Sequence, residues 1–344
     1  METGPIHQVS RMTTLRLLLP ILAGLLATLI VGANPHTPEN YIRIHKTKDS
    51  EVQFQIAIRE FKPTKHSPKG SPTLSLVGVA HIGEKDYFKA IQTYLAGQDC
   101  VLCEGVGFYA TKADRLKKKP GAGKFGKTQA EGTSQFKIAK ALGLSFQLSE
   151  INYNQKNFYN SDLSLMEFME YFQPGTENSL ITGDAKKDKE AKQFMAIMAG
   201  SHLATNILQG VLNIFGKSPK FQGMARLVLI ETLGSMGNEL GNIKNMPESV
   251  SDLMKMIITK RNKVVLQDFK TFVKEKNMES IAIFYGAAHM ADFETKLCKS
   301  YHYQPAETKW LTCISVNPEK SGLSAFDINF IRNLVQRQLK LYLK

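Results

Sequence analysis

Two histidines stand out because each closes the same short motif in the same setting. The first ends Gly78-Val79-Ala80-His81 and the second ends Gly286-Ala287-Ala288-His289. Each motif follows a continuous apolar run, LSLVGV at 74–79 and IAIFYG at 281–286, and leads into a segment of helical periodicity. In a parallel α/β sheet, ligand sites lie beyond the carboxyl ends of the strands, so an imidazole placed there faces a crevice. A glycine lets the chain bend tightly at such a turn. A helix N-terminus disfavours the imidazolium, leaving the neutral ring that binds metal. Glu104 sits where CVLC gives way to GVG, and a carboxylate at the end of an apolar strand is costly unless paired or ligating. Two imidazoles and a carboxylate form a ligand set for a divalent metal with an open water position. Either histidine motif alone is a weak signal, since a lone histidine after a strand is more often structural. The matched pair with a strand-end glutamate is what points to one shared site.

Arg261 is a further candidate. It shares a helical stripe with Met254, Ile258, Val265 and Phe272, and Asp268 lies in the same stripe. A guanidinium on an apolar face needs an anion. Three readings stand side by side: an Arg261–Asp268 structural pair, a snorkelling side chain, or an arginine that clamps a substrate carboxylate, an oxyanion or Glu104. His7, His36, His45, His66, His202 and His302 read as structural or solvated. Cys100 and Cys103 lie three apart in a strand-like run and so face opposite sides, which reads as buried thiols, not a zinc knuckle. The run GAGKFGK at 121–127 lacks the preceding strand and the Lys-Ser/Thr ending of a phosphate loop.

The elements that must position these residues describe an α/β protein. A strand at 74–79, a helix at 86–96 ending at Gly97 and a strand at 100–107 read as a βαβ unit with a buried parallel pair. A second unit comprises the strand at 281–286, a helix at 289–300 and one or two strands in 301–315. The expected fold is α/β, with two βαβ-type halves, one near each end of the chain, around a shared cleft. Between them lies a mostly helical segment, about 162–274, with Asp162 as the N-cap of its first helix and amphipathic stretches near 188–215, 220–240 and 248–274. VQFQIAI at 52–58 reads as a half-exposed strand, 144–148 as a further strand after a helix stopped by Gly143, and 326–343 as a closing helix.

Residues 17–31 form an apolar run preceded by Arg11 and Arg16 and followed by Val31-Gly32-Ala33. This predicts a signal peptide over 1–33, with an uncleaved signal anchor as the alternative. A polar linker over 34–50 and a main domain over 51–344 follow. The chain is therefore expected to be exported: secreted, periplasmic or membrane-anchored, with the main domain outside the cytoplasm. The formal charge of +13 comes without any nucleic-acid-binding signature. It fits a basic surface near lipid headgroups better than a nucleic-acid partner.

GVAHIG with its following helix, CEGVG, KRNKVVLQDF and YGAAHMADFE, in that order, resemble the TraB/GumN/PrgY/Tiki family. That family's pattern is two Gly-x-x-His motifs, a glutamate after the first and an Arg-Asn helix before the second. The segment at 141–164 is also similar to the family's Leu-Gly-Leu and Tyr-to-Asp stretch. The resemblance covers roughly residues 73–316. It implies two related halves around a cleft, and His81, Glu104 and His289 as the metal set. It also implies Arg261 and Glu104 as catalytic groups, and Arg261, Asn262 and Asp162 as substrate-binding positions. In the Tiki branch it implies a membrane-associated metalloprotease supported by Mn2+ or Co2+, with Zn2+ as an alternative. In the PrgY and TraB branch it implies a module that limits a peptide pheromone. The partner in either case is a peptide or protein. The long basic loop after Glu104 and the single N-terminal leader depart from a C-terminally anchored Tiki protein.

Overall fold

The computed structural model describes residues 38–105, 109–118, 133–173, 218–236, 248–275 and 278–342, with a few isolated positions between 175 and 189. In chain order the elements are β1 (Ile42–Lys46), β2 (Val52–Pro63), β3 (Thr73–Val79), β4 (Ile82–Gly83) and α1 (Lys85–Ala96). Next come β5 (Cys100–Cys103), α2 (Lys112–Leu116), α3 (Ser134–Ala141), β6 (Ser145–Phe146), α4 (Gln147–Glu150) and β7 (Phe158–Asn160). The rest are α5 (Leu165–Glu170), α6 (Pro219–Met236), α7 (Glu248–Glu275), β8 (Ser280–Gly286), α8 (Met290–Ser300), β9 (Tyr303–Val316) and α9 (Ala325–Tyr342).

The apolar runs at β3, β5 and β8 carry no polar alternation, which marks strands buried on both faces. They form the centre of one seven-stranded sheet of order β1-β2-β3-β8-β5-β7, with β9 added against β2. The expected α/β class is what forms, and its two βαβ-type units merge into this one sheet. β3 and β5 are not the adjacent pair that their spacing suggests. β8, from the far end of the chain, pairs in parallel with β3 on one side and β5 on the other. A strand that is apolar throughout needs a neighbour at each edge to satisfy its buried backbone, and the gap spanned by α1 supplies both. β7 continues the parallel run beyond β5.

The two faces of this sheet are distinct. Val77, Val79, Val101, Cys103, Ala282 and Phe284 share a core with α1, α3, α6 and α9. Leu74, Leu76, Cys100, Leu102, Ile283 and Tyr285 pack under α7 and α8. Cys100 and Cys103 therefore lie on opposite faces as buried thiols, as their spacing requires.

Several expectations need correction. Residues 42–46, inside the stretch read as linker, form β1, paired antiparallel to the first half of β2. The alternating segment at 52–58 is not half-exposed. It is part of a strand of 12 residues buried almost throughout, because helices cover one face and a polar cluster covers the other. In that cluster Arg59, 1% exposed, donates to Glu294 at 2.6 Å, and the Tyr41 hydroxyl donates to the same carboxylate oxygen at 2.6 Å. The segment at 144–148 yields only the short β6, paired with β4, and then turns into α4. Of the one or two strands expected in 301–315, one of 14 residues forms as expected, with irregular register against β2. The helical middle is present as α5, α6 and α7. The expected stretch at 188–215, His202 and the 121–127 run lie almost wholly or entirely outside the described residues, as does the leader. Among the described residues no helix is long and apolar enough to cross a membrane.

Candidate functional site

Strand register builds the site. In the β3–β8 pair Gly78 lies opposite Tyr285 and Val79 opposite Gly286, so the two histidine motifs leave the sheet side by side. Cys103 lies opposite Phe284 on β8 and Asn160 on β7, and the Glu104 N–H donates to the Phe284 carbonyl at 3.0 Å. Four neighbouring parallel strands, β3, β8, β5 and β7, thus deliver His81, His289, Glu104 and Asp162 just past their carboxyl ends. Such an end is where open α/β sheets bind ligands.

The motif glycines serve a different purpose from the bend expected of them, since neither has a left-handed backbone. Gly78 is a matter of space: a Cβ there would lie 3.0 Å from Ile56 Cγ2 and 3.5 Å from the Ala287 Cα of the second motif. Gly286 donates its N–H to Glu104 Oε2 at 2.8 Å.

Arg261, on α7, decides among its three readings by its contacts. Its Nη2 donates to Glu104 Oε1 at 2.6 Å and to Asp162 Oδ2 at 2.7 Å, and its Nε donates to Asp162 Oδ1 at 3.0 Å. Its guanidinium also lies 5.6 Å from the Tyr285 ring centre. Asp268 is not its partner; that carboxylate pairs with Lys118 and accepts the Ser161 hydroxyl. Asp162 is not a helix cap either. Ser164 caps α5 through a capping box with Glu167, while Asp162 is fully buried and accepts the N–H groups of Gly105 and Leu163 at 2.9 and 2.8 Å. A buried carboxylate this well supplied with donors holds Arg261 in place; it has no surface to offer a substrate.

Burial pushes the Glu104 carboxyl up, but Arg261, then His289 and His81, and the Gly286 N–H outweigh it and hold its pKa at about 2. Both histidines are therefore near enough to act on Glu104 electrostatically. Burial pushes His289 down to about 4, with Arg261 acting in the same direction. The ring is then neutral at physiological pH, as its position at the start of α8 suggested. It is packed edge-on to Tyr285, with ring centres 5.1 Å apart, and stacked on Phe293. His81 is partly exposed and sits on the turn before β4, not at a helix start.

Each imidazole has one nitrogen engaged. His81 Nδ1 meets Gln147 Oε1 at 2.9 Å, and Gln147 Nε2 donates to the Tyr153 hydroxyl at 2.7 Å. His289 Nδ1 meets Asn262 Oδ1 at 2.6 Å. Among the described residues Nε2 of each ring is the nitrogen left over, and metal-binding histidines are typically held in this way. The donor types therefore fit a divalent cation. Among the described residues, however, no three of His, Cys, Asp or Glu are already drawn together closely enough to hold one. Both oxygens of Glu104 are taken, by Arg261 and by the Gly286 N–H.

No family model, curated protein or solved structure matches the chain. The site is therefore read from its own geometry. Of the residues singled out in the sequence, His81, His289, Glu104, Asp162 and Arg261 gather beyond the carboxyl ends of these parallel strands. Asn262 lies behind them, as Asp162 does: it is fully buried and its amide is spent on His289 and Asp292, so it does not face a substrate. Sequence reasoning passed over Gln147, Tyr153 and Asp292. Gln147 is an isolated amide in an apolar run, which could have signalled a buried hydrogen bond. Asp292 lies in the first turn after His289, a common place for an acid.

Proposed function

We propose that this chain is a metal-dependent hydrolase acting on peptide bonds, exported or membrane-anchored through its N-terminal segment. The supporting observation is that His81, His289 and Glu104 emerge from neighbouring parallel strands, with Nε2 of each ring left over among the described residues. In this reading the three side chains hold a divalent ion, Mn2+ or Co2+ first and Zn2+ as the alternative. Such an ion acidifies water and polarises a carbonyl. A carboxylate with a pKa of about 2 is a poor proton acceptor near neutral pH, which favours Glu104 as an anchor for the cation over Glu104 as a general base. Arg261 keeps a fixed positive charge beside the place where a carbonyl oxygen gains negative charge, and Asp162 holds Arg261 from behind. If Glu104 exchanged its Arg261 contact for an ion, Asp162 would still keep the guanidinium in place.

A second reading has its own support. Each Glu104 oxygen already accepts a hydrogen bond, from Arg261 and from Gly286, as it would in a non-catalytic module that sequesters a peptide in the same cleft. One experiment separates the two. The full-length protein is assayed for bound metal and for cleavage of a mixed peptide library, with and without added Mn2+ or Co2+. Cleavage that is lost in His81→Ala and in His289→Ala supports the hydrolase. Peptide retained without turnover supports the binding module. The absence of both metal uptake and any peptide effect overturns both.

A further inference from the structure

The two ring-holding amides are not equivalent, and the difference assigns a proton. Asn262 Nδ2 lies 2.6 Å from an Asp292 carboxylate oxygen and 3.3 Å from the His289 carbonyl oxygen. Both are acceptors, so that end of the amide must be the NH2 group. Turned over, the amide would place its oxygen against a carboxylate. The other end is therefore the carbonyl oxygen, and it can only accept from His289 Nδ1, 2.6 Å away. Asp292 is itself backed by Lys296 at 2.6 Å, which fixes the acceptor at the far end. The inner part of this hydrogen-bond chain is buried, with Asn262 0% and His289 2% exposed, while Asp292 and Lys296 are partly exposed.

Gln147 imposes nothing comparable on His81. Its other end meets the Tyr153 hydroxyl, which can accept from an amide N–H or donate to an amide oxygen. The Gln147 amide can therefore be turned over with its hydrogen bonds intact, exchanging the tautomer of His81.

We infer that Asn262, with Asp292 behind it, is a positioning residue that holds His289 in the single tautomer protonated at Nδ1 and bare at Nε2, while His81 is left free to exchange its tautomer. The site then has one ring whose Nε2 is always an acceptor and one ring that can accept or donate. Hydrogen bonding alone fixes the proton on Nδ1; Nε2 is then bare in the neutral ring. Only the consequence of this tautomer for an ion rests on the function proposed above.

The test is 15N spectroscopy of histidine-labelled full-length protein at neutral pH, with the two rings assigned from the His81→Gln and His289→Gln spectra. His289 is expected to show one protonated and one bare nitrogen, with Nδ1 protonated, and His81 an averaged pair. In Asn262→Leu the His289 signals should move to an averaged pair. In the exchange double variant, Asn262→Asp with Asp292→Asn, an acceptor still faces Nδ1 and a donor backs it, so the single tautomer should return. A native His289 protonated at Nε2, or a native His289 already averaged, overturns the inference. So does an Asn262→Leu protein that retains the native pattern. Because the native spectrum alone can refute it, misfolding of a variant does not shield it. Titration with Mn2+ alone is read separately: loss of the amide should weaken binding about 10–100-fold. Absence of Mn2+ binding in the native protein counts against the cation site and leaves the tautomer to be judged on the spectra.

Discussion

Replacing Arg261 with methionine tests the electrostatic core of the site. The guanidinium is shared by Asp162, whose side chain is 0% exposed, and Glu104, whose side chain is 19% exposed. Removing it leaves a buried carboxylate without its cation, which typically costs about 3–5 kcal/mol. A stability difference of that size is readily read from urea unfolding midpoints at constant slope. The pH dependence gives a second readout. In the native protein Glu104 titrates at about 2 against an ordinary 4.5. The unfolded chain therefore binds more protons between those values. The contribution is full above about 4.5 and is lost as the pH falls towards 2, amounting to roughly 3 kcal/mol. Without Arg261, the burial that already pushes Glu104 up is opposed only by the histidines and the Gly286 N–H. The folded-state pKa should rise, and this acid-side loss of stability should shrink or reverse. A loss under about 1 kcal/mol at neutral pH, in the range of an exposed ion pair, would refute the claim that Arg261 compensates two partly or fully buried carboxylates.

Other consequences follow from the same contacts. Arg59→Met or Glu294→Met alone should destabilise by about 3–5 kcal/mol, whereas the double substitution should cost much less, because a buried pair is worse broken than replaced; additive single effects would contradict the pairing. Ser164→Ala removes the capping box of α5 and should cost about 1 kcal/mol by thermal or urea unfolding, with Asp162→Ala much more severe; equal effects would return the cap to Asp162. Cys100, Cys103 and Cys313 are 0%, 3% and 0% exposed, so an aromatic disulfide reagent should modify Cys298 first in the folded protein and reach the other three only on unfolding. Rapid native labelling of Cys100 or Cys103 would show that β5 is not buried on both faces.

The strands that carry the site were legible because continuous apolar runs at 74–79, 100–103 and 281–286 leave few alternatives to a buried strand. Helices at α1, α7 and α9 were legible from their periodicity. Strand order was not, because hydrophobic pattern reports burial and says nothing about which neighbour supplies it; hence β8 between β3 and β5 came as a correction. β1 was missed because IRIHK has only two apolar residues, and its place depends on a partner, β2, that follows it. His81, Glu104 and His289 were legible as residue types at strand ends. The roles of Asp162 and Asn262 were not, since both depend on atoms from distant segments: Gly105 and Arg261 for the first, His289 and Asp292 for the second. A polar residue beside a candidate site reads the same in sequence whether it faces the cleft or braces it from behind.

The place of β8 also bears on how such a chain can be made. Until residue 286 has left the ribosome, β3 and β5 each lack the neighbour that completes their backbone pairing. The centre of the sheet thus closes late, through contacts between distant segments, which is the slow route to a native topology. An early folded half carrying part of the site has no physical basis in this arrangement. The nascent protein stays open until β8 has emerged, a state dependent on holdase protection while its apolar strands wait.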